Sequence, residues 1–346
     1  MTDFSLNYPQ NDGQQKQLTI MSGEILFMVG PNGTGKSTLM HAFTTQNTGR
    51  VRRITAHRQI WLNSDSVDLT PASRQQMETN ITNRDRQEDS RWKDDFAHQR
   101  SQANIFDLID SENVDARKIA EAARAGKMAD VETLAREQSP ISKMNDILRI
   151  SNFHFQVNVD QGSKLVAIRE GCQPYSIAQL SDGERNALLI IANVLTAPEN
   201  TLILLDEPER HLHRSIVSPL ISTLLAYRED CAFVVSTHEI TLPHDQEKCG
   251  ALLLREYSHQ PRHWSADYVQ NIEEMDEDIA LAVLGSRRAL LFVEGRSSSL
   301  DLQLYQILYP TKSIKPLRPV DLCCTYFTQQ YIGSHIIENA SDTILA

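Results

Sequence analysis

Gly30-Pro31-Asn32-Gly33-Thr34-Gly35-Lys36-Ser37 decides the fold of this 346-residue chain. It matches G-x-x-x-x-G-K-[ST], the glycine-rich loop that cradles phosphates between a strand and a helix. Both neighbours are present. Glu24-Ile25-Leu26-Phe27-Met28-Val29 is a short apolar run that reads as a buried strand, and the residues from Ser37 to Phe43 read as a helix. Glycines let backbone N–H groups turn inward around an anion, and the helix N-terminus adds its positive dipole. Gly30, Pro31, Asn32, Gly33, Thr34, Gly35, Lys36, Ser37 and Thr38 are therefore the expected nucleotide-binding residues. In that role Lys36 reaches the β- and γ-phosphates, and the Ser37 hydroxyl ligates Mg²⁺. An ordinary glycine-rich turn is the alternative, and a strand and helix on its two sides weigh against it.

Further along, Leu202-Ile203-Leu204-Leu205-Asp206-Glu207 is an apolar strand ending in two carboxylates. Asp206 suits the Mg²⁺ shell at a strand's carboxyl end, and Glu207 suits the general base that polarises the attacking water. Taken alone, the pair reads equally well as a solvated acidic turn; the phosphate loop favours the catalytic reading. Phe233-Val234-Val235 forms another strand and runs into Ser236-Thr237-His238, where His238 can hydrogen-bond a γ-phosphate or the water. A lone histidine is more often structural, so its role depends on the ensemble. Strands alternating with helices imply an α/β fold with a mainly parallel sheet covered on both faces.

Composition bounds the rest. Thirty-four basic residues stand against 45 acidic ones, a net charge of −11, which argues against a uniformly basic nucleic-acid coat. No window approaches the ~18 consecutive apolar residues of a membrane helix. The opening MTDFSLNYPQNDGQQKQ lacks the apolar run of a signal peptide. Cys172, Cys231, Cys249, Cys323 and Cys324 match no zinc spacing. A cytoplasmic protein without membrane contact is the expectation.

Residues 62 to about 104 are polar, with few apolar anchors, and read as a surface excursion or partly mobile loop. Within them Arg84, Arg86, Arg91, Lys93 and Arg100 interleave with Asp85, Glu88, Asp89, Asp94 and Asp95, as on a solvated mixed-charge face. Contact with DNA phosphates is the other reading, and the cluster Arg50, Arg52, Arg53 and Arg58 supports it. From 112 to 137 a helix is expected with Ile119, Ala122 and Ala123 on one face, and Gly126 separates it from Val131–Leu134. Phe153–Val159 alternates like a half-buried strand, and Ala187–Leu195 is an apolar helix.

Leu180-Ser181-Asp182-Gly183-Glu184 opens that helix, with Ser181 as N-cap and Glu184 completing a capping box. In order and spacing, the phosphate loop, LSDGE, LLDEP and STHE resemble the ABC-type ATPase heads, a class with the SMC and Rad50 proteins and the OLD nucleases. The resemblance implies that Ser181 and Gly183 contact the γ-phosphate of a nucleotide bound by a second copy, sandwiching ATP in a homodimer or higher assembly. It makes Gln59 the candidate Mg²⁺-sensing glutamine, although a surface glutamine at a strand end is as common. Glu207-Pro208-Glu209-Arg210-His211-Leu212-His213 looks like the E-P-E-x-H-L-H stretch of the OLD-like branch, which Asp182 also fits. Residues 60–179 are too few for a long Rad50-type coiled-coil arm, and no Cys-x-x-Cys hook is present.

Leu290-Leu291-Phe292-Val293-Glu294-Gly295 resembles the opening of a Toprim domain. Toprim chemistry needs a later Asp-x-Asp pair, and Asp301, Asp321, Glu338 and Asp342 do not form one. Glu294 then reads as the remnant of a degenerate or truncated tail with no nuclease activity of its own. The expected parts are a head N-lobe over 1–61, a polar and helical insertion over 62–144, a head C-lobe over 145–284 and this tail over 285–346.

Overall the chain resembles the compact ATPases of bacterial antiphage systems, the Septu and retron-associated ones. That resemblance implies an ATP- and Mg²⁺-dependent ATPase controlling a partner nuclease of HNH type. A reverse transcriptase with its DNA–RNA hybrid is a further implied partner. A DNA-repair or chromosome-associated ATPase, and a slow-turnover ATP-binding scaffold, stay open as alternatives.

Overall fold

Five consecutive apolar residues without polar alternation need cover on both faces, and Ile25–Val29 (β3) has it, with every residue at most 4% exposed. The same holds for Leu202–Asp206 (β8) and Ala232–Thr237 (β9), which are buried throughout. This is a computed structural model, and it describes residues 2–55, 69–160, 164–246, 249–270, 272, 290–294, 300–309 and 313–317. Together with Val51–Thr55 (β4), Cys249–His259 (β10) and Arg262–Gln270 (β11), these strands form a six-stranded sheet of order β11-β10-β3-β9-β8-β4. β10 runs parallel to β3, and β4 runs parallel to β8 with Thr55 opposite Asp206. The sheet is mixed rather than purely parallel, because β10 and β11 form an antiparallel hairpin with Tyr257 opposite Trp264.

The chain divides into two compact units. One comprises Met1–Phe4, Met21–Glu24 and Met40–Phe233; the other comprises Ser5–Ile20, Ile25–Leu39 and Val234–Ala346. The first unit is mainly helical. Pro71–Asp85 (α2), Ala97–Arg124 (α3), Met128–Arg136 (α4) and Pro140–Ile150 (α5) lie between β4 and a small sheet. That sheet is Gln156–Val159 (β5), Leu165–Ile168 (β6) and Tyr175–Ser176 (β7). Asp182–Leu195 (α6) and Arg214–Tyr227 (α7) flank β8 in sequence. On α5, Ile141, Met144, Ile147 and Leu148 are buried at helical spacing, and α6 is buried from Asn186 to Val194. Gly126 separates α3 from α4 as the sequence predicts, with φ at +71°.

The polar run after residue 69 is helical, which corrects the reading of 62–104 as a loop. Besides the apolar residues Ile81, Ile105, Leu108 and Ile109, its helices bury ion pairs, which hydrophobic periodicity does not reveal. Thr70 and Ser73 form a capping box, and Pro71 occupies the first turn of α2. Arg84 and Arg100 are 6% and 7% exposed. Arg100 grips Asp85 through two hydrogen bonds of 3.0 and 2.6 Å and meets Asp94 at 3.1 Å, while Arg84 meets Asp89 at 2.7 Å. The segment is thus a charge-paired interior at these two arginines, while Arg86, Glu88, Lys93 and Asp95 are exposed, as on the expected solvated face. Asp85→Ala leaves Arg100 with half its carboxylate shell, and a loss of about 2 kcal/mol in urea unfolding is expected, short of the full cost of an orphaned buried charge.

The other unit holds most of the hairpin Asp3–Pro9 (β1) and Gln15–Met21 (β2), together with β3, β10 and β11. The start of Lys36–Gln46 (α1) belongs to it as well. Leu290–Glu294 (β12), Leu300–Leu308 (α8) and Ser313–Leu317 (β13) form a parallel β-α-β element, with Leu291, Val293 and Ile314 packed against Tyr305 and Tyr309. The expected boundary near 285 lies outside the described residues. No described helix is long and apolar enough to cross a membrane.

Candidate functional site

The phosphate loop leaves the carboxyl end of β3 and enters α1, as the sequence predicts, and Leu39 N–H closes the first helical bond on Gly35 O at 2.9 Å. Gly33 and Gly35 have φ of +89° and +78°, so side chains there would be strained. Gly30 has no room either, since a Cβ would lie 2.5 Å from Leu254 O. Gly35 rests on the β10–β11 hairpin, where a Cβ would lie 2.7 Å from Trp264 Nε1 and 2.8 Å from Tyr257 Cγ. Those two rings pack at 4.9 Å between centroids, and Trp264 is fully buried. The hairpin is thus the floor on which the loop is shaped.

Lys36 is buried and donates from Nζ to Gly30 O at 2.7 Å and Pro31 O at 3.3 Å. Both acceptors are neutral carbonyls of the loop. A phosphate oxygen makes a stronger, charge-assisted bond, so the ammonium is placed to transfer to one. Ser37 follows in the first turn of α1, half-buried, with Thr38 buried behind it. Glycine-permitted amides, a poised ammonium and a hydroxyl form a donor set that fits the phosphates of a magnesium nucleotide. His238 lies in the same unit at the carboxyl end of β9, exposed, with Glu239 N–H bonded to Thr237 Oγ1 at 3.0 Å beside it.

The acidic half belongs to the other unit. Asp206 ends β8, 3% exposed, and Arg53 on the paired strand β4 brings its guanidinium to 3.9 Å from Oδ2. A second nitrogen of Arg53 donates to Ser90 Oγ at 3.3 Å, tying the acidic strand end to the inserted segment. Glu207 follows with φ +49°, a left-handed conformation in a non-glycine residue. Strain of this kind costs on the order of 1 kcal/mol and concentrates at functional sites. Its carboxylate stands 3.8 Å from Arg210.

Ser181 and Glu184 form the expected capping box. The Ser181 hydroxyl accepts from Glu184 N–H, and Glu184 accepts from Ser181 N–H at 2.9 Å. Gly183, in that first turn, lies against the chain after Glu207, and a Cβ on it would be 2.7 Å from His211 O. Asn186 donates to Arg210 O at 3.0 Å, and His211 has φ +68°. The 207–213 stretch therefore seats the signature turn directly. His213 is used as the N-cap of α7, accepting from Ser215 N–H.

Two groups of expected residues are thus assembled, each within one unit: Gly30 to Thr38, and Ser181, Gly183, Asp206 and Glu207. Gln59 and Arg58 lie outside the described residues. Sequence reading missed Tyr257 and Trp264 under the loop, Arg53 at Asp206, and Asn186 at the signature. Only the alternation of Trp264 with polar neighbours signals an inward side chain there.

Strand, glycine loop, helix and acidic strand end define a P-loop nucleotide-binding head of the ABC type. A family model described as ABC transporter matches residues 14–210, and the chain belongs to that family. No curated protein matches the chain. Among solved structures it is similar to an SMC head bound to the C-winged helix domain of ScpA, at 12% identity over 79% of this chain and 100% of that one, with a TM-score of 0.42. An SMC head with an extended coiled coil, bound to the C-terminal domain of ScpA derived from Pyrococcus furiosus, matches at 12% identity over 82% and 99%, with a TM-score of 0.41. The ATP-binding cassette MJ1267 of an ABC transporter, in its ADP conformation, matches at 11% over 83% and 96%, with a TM-score of 0.38.

Proposed function

We propose that this chain is an ATPase head that pairs with a second copy around ATP and uses the pairing to control a partner protein. The carrying observation is the close seating of Gly183 against His211 O, which leaves no room for a side chain at this position of the signature turn. In this reading Lys36 and the loop amides hold the β- and γ-phosphates. Ser37 and Asp206 would hold Mg²⁺, which would supply neutralising charge to the phosphate oxygens. Glu207 accepts the proton of the attacking water, His238 bonds the γ-phosphate or that water, and Gln59 senses the metal. Ser181 and Gly183 complete the site of the other copy.

The direct test is sedimentation of the full chain with and without ATP. Wild type is expected to pair on ATP addition, and Gly183→Ala to stay monomeric while still binding ATP. Pairing that survives Gly183→Ala would remove the signature from the interface. Ser181→Ala loses the cap as well, and a stability drop of about 1 kcal/mol is expected alongside lost pairing.

The partner we propose is an HNH-type nuclease of an antiphage system, with a reverse transcriptase and its DNA–RNA hybrid as further components. The 207–213 stretch and Asp182 support this branch, and residues 62–144 are the part available to carry the signal from head to partner. The Toprim-like reading of 285–346 is likewise a proposal, supported by the parallel β12-α8-β13 element with Glu294 at the end of β12; no nuclease chemistry is assigned to it. Gentle purification from the native locus tests the role. A stoichiometric nuclease is the expected result, whereas heads alone, or heads with bulk chromosomal DNA, would favour a repair-type ATPase.

A further inference from the structure

The inserted helices meet the head at a cavity of about 60 Å³. Its wall carries five arginines: Arg52, Arg53, Arg74, Arg86 and Arg100. Glu78 and Asp85 are the carboxylates of the lining. The arginines are not equally neutralised. Arg74 is held by Asp107 at 2.7 Å and Glu78 at 2.7 Å, and Arg100 by Asp85 and Asp94. Arg52 instead donates to neutral acceptors, Asn193 O at 3.1 Å and Thr196 Oγ1 at 3.2 Å. Burial lowers its affinity for the proton, but a guanidinium stays charged. Arg86 adds an exposed cation, and Arg53 shares its charge with Asp206. Glu78, Asp85, Asp94, Asp107 and Asp206 match the five arginines in number, but Arg52 and Arg86 have no carboxylate contact among the described residues.

A neutral group supplies the second observation. Asn104, on α3, is 5% exposed and lines the cavity, and its Nδ2 amide has no hydrogen-bond partner. A buried donor left unmade costs roughly 1–3 kcal/mol, so such a group marks a place where an acceptor belongs. Two guanidiniums without a carboxylate contact and an unused N–H donor around one cavity match one ligand chemistry. We infer that this cavity is a binding site for a small tetrahedral oxyanion, with inorganic phosphate as its simplest member. None of the lining residues belongs to the phosphate loop, so the site is distinct from it. Arg53 joins it to Asp206, so an anion here draws on the same guanidinium that faces the acidic strand end.

The test is calorimetric titration of inorganic phosphate into the full chain at constant ionic strength. It is done in a Lys36→Ala background so that the phosphate loop does not contribute. One saturable site is expected, and Asn104→Asp should weaken it at least tenfold, because a carboxylate of the same shape repels the anion. The phosphate-free Asn104→Asp protein should melt no lower than its parent, since the new charge faces arginines. Arg52→Gln gives an independent loss through the guanidinium side. Absence of saturable binding, or affinity unchanged by both Asn104→Asp and Arg52→Gln, would overturn the site. Phosphate binding seen only when Lys36 is intact would assign it to the loop and overturn it as well. None of these readouts depends on ATP turnover, so failure here leaves the head-pairing reading standing.

Discussion

Glu207→Gln is expected to reduce ATP turnover by roughly 10²–10⁴-fold while leaving ATP affinity within a few-fold of wild type. The amide keeps the volume and the hydrogen-bonding reach of the carboxylate but accepts no proton, so only the step that deprotonates water is lost. In the proposed reading nucleotide binding rests on the loop amides and Lys36, which the substitution does not touch. Heads that bind but do not hydrolyse should then accumulate as ATP-bound pairs. Steady-state phosphate release and sedimentation with ATP check the two halves of the expectation. The left-handed backbone of Glu207 sharpens the test. Glutamine tolerates that conformation about as poorly as glutamate, so both proteins carry the same strain and the comparison isolates the proton acceptor. Turnover within threefold of wild type, with assembly unchanged, would identify a scaffold that holds ATP and would remove Glu207 from the chemistry.

What could be read in the sequence shares one property: it is local. The phosphate loop, the apolar strands around it, the acidic end of β8 and the Ser181 capping box are specified by residues within a few positions of one another, and the structure places each as expected. What could not be read depends on register. Arg53 meets Asp206 because β4 pairs with β8 with Thr55 opposite Asp206, and no motif encodes that offset. Tyr257 and Trp264 reach Gly35 because they are opposite one another on the β10–β11 hairpin. The helices after Thr70 escaped for a different reason. Up to residue 104 their buried side chains include Arg84, Arg100 and few apolar groups, and a charge-paired interior has the composition of a surface.

Gly35→Ala is expected to have a large effect for a single methyl group. Two costs add. At φ +78° an L-residue loses roughly 1–2 kcal/mol relative to glycine, because its Cβ crowds the backbone. The methyl would also lie 2.7 Å from Trp264 Nε1 and 2.8 Å from Tyr257 Cγ, closer than such atoms approach, and overpacking of this kind costs about 1–3 kcal/mol. The sum, about 2–5 kcal/mol, is set against a loop that must hold its amides in one arrangement to bind phosphate. ATP affinity is therefore expected to fall by at least 30-fold, and calorimetry or a fluorescent nucleotide measures it. A second substitution separates the causes. Tyr257→Ala in the Gly35→Ala background opens space on one side of the methyl and should recover part of the loss, but not the share due to backbone conformation. If Gly35→Ala bound ATP normally, the hairpin would not be the floor of the loop. If Tyr257→Ala restored binding in full, the positive φ would carry no cost, and the loop would be shaped by packing alone.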